Sequence, residues 1–268
     1  MNSKYCIIFV NGLIRNFDSF YKVSENINQM LIQNNPNYKF KFVVNTSYEN
    51  IVNPKWENTN YYVQNIDKSK LEYNIKTAYN NDDVEIIYSN LNVKEVDNFY
   101  IRTFFRIKNT LNNFNWNEHN YDKVIYIRPD VIFNKKIILD DYDGFNIICG
   151  NIWRECNFHY RDWDLCWIGD KKPFEMWCFL HLYQLKLDGF DNETIFNDEV
   201  INYSRFNAEK INFYNNFKDY HDFINKTVNL ITDDETILHT HYILYFMINH
   251  NITVTTHDDN ETFVEIIR

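Results

Sequence analysis

The chain has 268 residues, is 45% hydrophobic and 18% aromatic, and carries a net charge of −10, a globular composition with enough apolar side chain for a sizeable core. An acidic surface repels phosphate backbones, and no basic stretch is longer than the pairs Lys135-Lys136 and Lys171-Lys172, which argues against nucleic-acid binding. With 5 glycines and neither G-x-G-x-x-G nor G-x-x-x-x-G-K-[ST] in the chain, dinucleotide-binding and P-loop readings lose their basis as well.

Tyr5 to Val10 is a continuous apolar run, the signature of a strand covered on both faces, and Asn11-Gly12 ends it with a turn signal. Asp18 or Ser19 can cap a helix reaching about Gln33, with Phe20, Val23, Ile27, Met30 and Leu31 at helical spacing. Phe40 to Val44 reads as the second strand, ending in Asn45-Thr46-Ser47. A short helix is expected near Lys68 to Tyr79, a third strand over Val84 to Tyr88, and a helix from Asp97 through Leu111. The fourth strand lies in Tyr121 to Phe133, Y-D-K-V-I-Y-I-R-P-D-V-I-F. Proline donates no ladder hydrogen bond, so this strand should leave the sheet at Pro129. The order β-α-β-(x)-β-α-β favours a mostly parallel sheet with helices on both faces.

Beyond Asp130 the character changes. Phe145 to Cys149 and Trp163 to Gly169 read as strands, and Asp170 can cap a helix that carries Pro173 in its first turn and ends at Gly189. Residues 190–228 show no clear pattern. Asp233 caps a helix running to about His250, and Ile252 to Thr255 and Phe263 to Ile267 close the chain as strands. No repeat or linker is visible, and one domain over 1–268 is expected.

The five cysteines are an odd number without C-x-x-C, and several sit in apolar runs; they read as buried thiols of a reducing compartment. The short run after Met1-Asn2-Ser3-Lys4 is too brief for a signal peptide. The longest apolar run, Tyr242 to Ile248, falls far below the ~20 residues a membrane span needs. The expectation is a soluble, cytoplasmic protein without a transmembrane segment.

Chemistry centres on Arg128 and Asp130. Two residues apart in extended chain, they project to one side, and the carboxyl end of a buried strand is where open α/β sheets bind ligands; a local ion pair closing the strand end is the alternative. Acidic residues also gather at Asp162-x-Asp164 and at Asp233-Asp234-Glu235. Carboxylates converging from separate loops hold Mg²⁺ or Mn²⁺, yet Asp233 also suits a helix cap, Glu235 a helix-dipole partner, and the Asp162/Asp164 pair a solvated turn. His239 and His241 point to different helix faces, so one of them at most joins a metal. Tyr and Trp between 153 and 167 can stack on sugar rings or simply fill the core.

The ordered set N-G-L-I-R-N-F, Y-D-K-V-I-Y-I-R-P-D-V-I-F, D-L-C-W-I-G-D, D-D-E-T-I-L and a closing E-I-I-R resembles the glycosyltransferases of bacterial surface-polysaccharide clusters and large DNA viruses. Their strand–R-x-D segment is a variant of the D-x-D motif of GT-A-fold enzymes. The resemblance implies an α/β, GT-A-like single domain, with residues 1–133 as the nucleotide-binding half and 134–268 as the acceptor half. It implies transfer of a sugar from a nucleotide-sugar donor to a glycan or protein acceptor, in the host cytoplasm for a viral protein. Asn11, Gly12, Arg15, Arg128 and Asp130 would bind the nucleotide. Asp130 and His241 would hold Mn²⁺ or Mg²⁺, and Glu235, Asp164 and Asp162 would act on the acceptor side. The chain departs from D-x-D in having Arg128 at the first acidic place, so Arg128 either meets the diphosphate itself or orients Asp130. A non-catalytic module binding glycans or nucleotide sugars on the same fold is the competing reading; a metal-dependent phosphoesterase is weaker, since no two-metal His/Asp cluster is visible.

Overall fold

The computed structural model describes residues 3–48, 66–79, 84–89, 110, 113–114, 121–148, 166–174, 253–257 and 264–267. The chain divides into two compact units, 1–171 with 255–268, and 172–254. The first carries the elements that position the site.

Strand β1 (Lys4–Asn11) leads through helix α1 (Phe17–Met30) to β2 (Tyr38–Thr46), and helix α2 (Lys68–Tyr79) precedes β3 (Val84–Tyr88). Then come β4 (Lys123–Ile127), β5 (Val131–Phe133), β6 (Phe145–Ile148), β7 (Cys166–Asp170), β8 (Val254–His257) and β9 (Val264–Ile266). The main sheet has the order β3-β2-β1-β4-β7-β6-β8, and β5-β9 form a separate ribbon. The pairings β2–β3, β1–β2 and β1–β4 are parallel, whereas β4–β7 and β6–β7 are antiparallel. The sheet is therefore parallel through β3-β2-β1-β4 and mixed beyond, not mostly parallel throughout. A continuous apolar run marks burial on both faces but carries no information on strand direction.

Alternation along the strands separates two faces. Cys6, Ile8 and Val10 of β1, Phe42 and Val44 of β2, and Ile125 and Ile127 of β4 share one core with Phe20, Val23 and Ile27 of α1 and Leu71 and Ile75 of α2. Tyr79 of α2 stacks on Phe42 at 4.1 Å and meets Phe20 edge-on at 5.5 Å. Both described helices thus cover the same face. On the other, Phe9 packs edge-on against Phe114 at 5.7 Å and Tyr126 stacks on Trp167 at 4.3 Å. The expected helix from Asp97 to Leu111 lies outside the described residues except for Thr110, so helices on both faces are not established. Trp167 is 1% exposed, a core aromatic. Burial pushes the thiols of Cys6 and Cys166 up, far from a nucleophile's range.

Helix α1 starts two or three residues earlier than the sequence indicates. Asn16, not Asp18 or Ser19, is its cap, its side-chain oxygen accepting from the amides of Asp18 (2.8 Å) and Ser19 (3.4 Å). The helix also holds the β5 ribbon: Asn26 Nδ2 donates to Phe133 O (2.9 Å) and its Oδ1 accepts from Phe133 N (2.7 Å). One amide side chain thereby pairs both polar groups of a strand-edge residue. Asp170 does not cap the following helical turn. Its carboxylate accepts from Lys123 Nζ (2.7 Å) and from the Gly144 amide (2.8 Å).

At the amino edge of the sheet, Asp140 accepts from Lys4 Nζ and from the Tyr38 hydroxyl, both at 2.7 Å. The Lys4 bond, then the Tyr38 bond, holds the Asp140 carboxyl below its usual range. A depressed carboxylate contributes stability that is present above its unfolded value, near pH 4, and lost as pH falls through the folded one. Asp140→Asn should therefore lower stability a little at neutral pH, where the carboxylate's contribution is present, and flatten the acid limb below about pH 4, where the two proteins converge. Denaturant midpoints from pH 2 to 7 check this, and an unchanged acid limb would remove Asp140 from the effect. The effect is small because the pair is half exposed.

Candidate functional site

In the parallel part of the sheet the chain steps from β1 outward to β2 and β3, then crosses back to place β4 on the other side of β1. The strand order reverses between β1 and β4, and in open α/β sheets a crevice forms at the carboxyl ends of such a strand pair. The two loops that leave there are Asn11-Gly12 to Asn16, after β1, and Arg128-Pro129-Asp130, after β4.

They interlock. Gly12 has φ +148°, and a Cβ on it would lie 2.8 Å from Cδ and 3.3 Å from Cγ of Pro129. Only glycine lets the first loop pass this close to the proline ring. The Gly12 amide donates to Asn45 O (3.0 Å), which holds the loop to the end of β2.

On either side of the proline, Arg128 and Asp130 form a two-pronged pair: Nε donates to Oδ1 (2.9 Å) and Nη2 to Oδ2 (2.8 Å). Their side chains are 22% and 23% exposed, so the pair is shielded but reachable from solvent. The ion-pair alternative and the orienting role of Arg128 are thus both present in one arrangement. The Asp130 carbonyl also accepts from Ile267 N (2.8 Å), which ties the segment to the end of β9.

Asn11 is 3% exposed, and its Oδ1 is buried without a hydrogen-bond partner. A buried amide oxygen left unpaired costs about 1–3 kcal/mol, and this one lies at the carboxyl end of β1, the end at which open α/β sheets bind ligands. Beside it in register, Asn45 is fully engaged: Nδ2 donates to Thr110 Oγ1 (2.7 Å) and Oδ1 accepts from Ser89 Oγ (2.6 Å). This Asn45–Ser89–Thr110 network was not anticipated. Its one sequence signal is an asparagine ending two neighbouring strands, Asn11 and Asn45.

Asn11, Gly12, Arg128 and Asp130 are therefore together at one edge. Arg15 is exposed in the β1–α1 loop at the same edge. Asp162, Asp164, Glu235 and His241 lie outside the described residues, so their expected roles on the acceptor side and at a metal are not placed. Among the described residues no three His, Cys, Asp or Glu side chains gather as a metal site. Asp130 is the one metal candidate described, and a guanidinium already lies on both of its oxygens. As it stands, that carboxylate does not fit a divalent ion, which would have to share it with a cation less than 3 Å away.

No protein-family model matches the chain, and no curated protein matches it. Among solved structures, an active-site mutant of the glycosyltransferase LgtC is similar over 68% of this chain and 64% of its own length, with 13% identity and a TM-score of 0.35. The chain spans less than two thirds of that structure. At this distance the reading of function falls to the site itself. Among the described residues no helix is long and apolar enough to cross a membrane.

Proposed function

We propose that the β1/β4 edge binds the diphosphate of a nucleotide sugar and that the protein is a GT-A-like glycosyltransferase acting on a glycan or protein acceptor. The observation that carries this reading is the placement of a partly exposed guanidinium, Arg128, and an unpaired buried amide oxygen, on Asn11, at the ends of the adjacent strands β4 and β1, where the strand order reverses. The sugar-transfer part rests on the ordered motifs of the sequence, R-P-D foremost. Sugar transfer develops negative charge on the leaving diphosphate and positive character on the sugar. It needs a cation at the first and a carboxylate near the acceptor hydroxyl. Residues 1–133 supply the nucleotide side in this reading. Residues 134–268 supply the acceptor side, with Glu235 as the base ahead of Asp164 and Asp162.

A second reading keeps the fold and drops the chemistry, leaving a module that binds glycans or nucleotide sugars. The Arg128–Asp130 pair favours it, since a carboxylate neutralised by its neighbour suits binding as well as catalysis. Donor turnover against a panel of nucleotide sugars, with and without glycan acceptors, separates the two. Transfer or donor hydrolysis is expected; tight glycan binding with no turnover of any donor would establish the module. If Glu235 is the base, Glu235→Gln should lower turnover about 10²–10⁴-fold while leaving nucleotide affinity within about twofold. Retained turnover in Glu235→Gln, with loss in Asp164→Asn, moves the role to Asp164.

Nucleotide binding has its own readout. A ligand at about 100 times its dissociation constant stabilises the fold by roughly 2.7 kcal/mol, a rise in Tm of about 5–10 °C for a chain of this size. No shift with any nucleotide or nucleotide sugar would remove the nucleotide site.

A further inference from the structure

The turn that carries Arg128 and Asp130 is closed by a long bond from the Val131 amide to Arg128 O (3.3 Å). Pro129 takes the second place of this turn, where its fixed φ is favoured, and its ring lies against Gly12. These contacts govern how the chain enters the turn. Asp130 is also turned by the peptide plane that follows it, since each plane is rigid and only the dihedrals between planes rotate.

That plane is held from β9. The Asp130 carbonyl accepts from Ile267 N at 2.8 Å, and the ribbon continues with Val131 opposite Ile266, Ile132 opposite Glu265 and Phe133 opposite Val264. Main-chain groups in an antiparallel ribbon meet the partner strand at every second residue. Asp130 accordingly gives its carbonyl to β9, while Phe133, three residues on, gives both polar groups to the Asn26 side chain of α1 (2.9 and 2.7 Å). Strand β5 has three residues, and β9 is its one strand partner among the described residues. A strand this short takes its course from that partner.

The main sheet stands without this bond. Strands β3, β2, β1 and β4 pair in one ladder that involves neither β5 nor β9, and α1 and α2 pack on it through Phe20, Val23, Ile27, Leu71 and Ile75. Losing the Ile267 bond therefore frees the exit of the turn and leaves its foundation in place. Groups placed for a ligand tolerate displacements of only about 0.5 Å.

We propose that Ile267, through its main-chain amide, is a positioning residue for nucleotide binding: β9 clasps the Asp130 carbonyl and so sets the Arg128–Asp130 pair at the carboxyl end of β4. This rests on the nucleotide-binding reading above and adds to that site a residue distant in sequence.

The test is calorimetric titration of the full chain with ADP, CDP, GDP, TDP and UDP, each with Mg²⁺ present, followed by variants against the nucleotide that binds. Ile267→Pro removes the donor, and a proline suits this place because the preceding residue is already extended in β9. It should weaken binding about tenfold, the lower range for one hydrogen bond to a charged group, with Tm lower by only about 2–4 °C. Ile267→Ala trims the side chain but keeps the amide, and its Kd should stay within about twofold. An ester at Ile267, made by semisynthesis, exchanges the N–H for an oxygen and keeps the side chain; it should reproduce the proline loss. In an Asp130→Ala background the ester should cost less than about threefold, because its route to the ligand runs through that residue.

Unchanged affinity in both Ile267→Pro and the ester overturns the inference while the nucleotide site stands. An equal loss in Ile267→Ala, or an equal cost of the ester with and without Asp130, assigns the effect to general packing and overturns it as well. If the ester variant does not fold, the bond belongs to the fold and the inference fails. No binding of any nucleoside diphosphate by the unaltered chain overturns both the inference and the reading beneath it.

Discussion

Alanine at Gly12 is expected to lower stability by about 2–4 kcal/mol and to weaken nucleotide binding at least tenfold. Two costs combine: a side chain forced to a φ that essentially only glycine adopts, about 1–3 kcal/mol, and an overpacked contact of similar size. The added methyl lies 2.8 Å from Pro129 Cδ, and a proline ring has no rotamer by which to move away. The strain therefore passes to the flanking residues, Arg128 and Asp130, and spreads the two loops that form the crevice. Thermal unfolding should show a loss of about 5–15 °C. The cause can be isolated with a double mutant, since Gly12→Ala with Pro129→Ala relieves the contact but not the φ. Partial recovery in the double mutant is the expected result. A double mutant no better than Gly12→Ala would leave backbone strain as the whole effect, and unchanged nucleotide affinity in Gly12→Ala would detach the loop from the site.

Asp170→Ala should be the more damaging of two changes at one ion pair. The Lys123 side chain is 7% exposed, and its ammonium is held by Asp170 at 2.7 Å, by the Tyr142 carbonyl at 2.5 Å and by the outer Asp143 at 3.3 Å. Asp170 is 39% exposed and also accepts from the Gly144 amide. Removing the carboxylate strands a buried cation and a turn amide together, at about 2–4 kcal/mol, somewhat below the full cost of breaking a buried pair because Tyr142 and Asp143 remain. Removing the cation is different. Lys123→Met keeps the packing volume, and Asp170 is exposed enough to find water, so about 1 kcal/mol is expected. Urea midpoints at neutral pH measure both. Equal losses would mean that the lysine's burial is not the controlling term. The same corner is closed to side chains, since a Cβ on Gly169 would sit 2.5 Å from the Gly144 carbonyl.

Much of this fold was legible locally. The runs at Tyr5–Val10, Phe40–Val44 and Val84–Tyr88 became β1, β2 and β3, and the weak periodicity near Lys68 to Tyr79 became α2. Burial and helical period are written in neighbouring residues, and short-range patterns suffice to read them. The two-residue spacing of Arg128 and Asp130 likewise put their side chains together, and Pro129 ended the strand where a missing amide requires. The cap of α1 was misread for a reason of the same kind: Asn16, Asp18 and Ser19 are all competent caps, and the choice among them depends on where the chain leaves the sheet.

By itself, then, the sequence determined that a buried strand would deliver a cation and a carboxylate to one side at a sheet edge, because alternation and proline chemistry act within a few residues. Only the tertiary structure decided that the two would bond to each other, that Gly12 would admit the Pro129 ring, and that Asp170 would serve Lys123 across the sheet instead of capping a helix. It also decided that β7 and β6 would join antiparallel and that β5 would turn away to β9. Most of those outcomes depend on partners distant in sequence, such as Lys123 with Asp170, 47 residues apart, and Val131 with Ile266, 135 apart. A polar side chain states in sequence only that it needs a partner; which partner it receives is settled when packing brings one within about 3 Å.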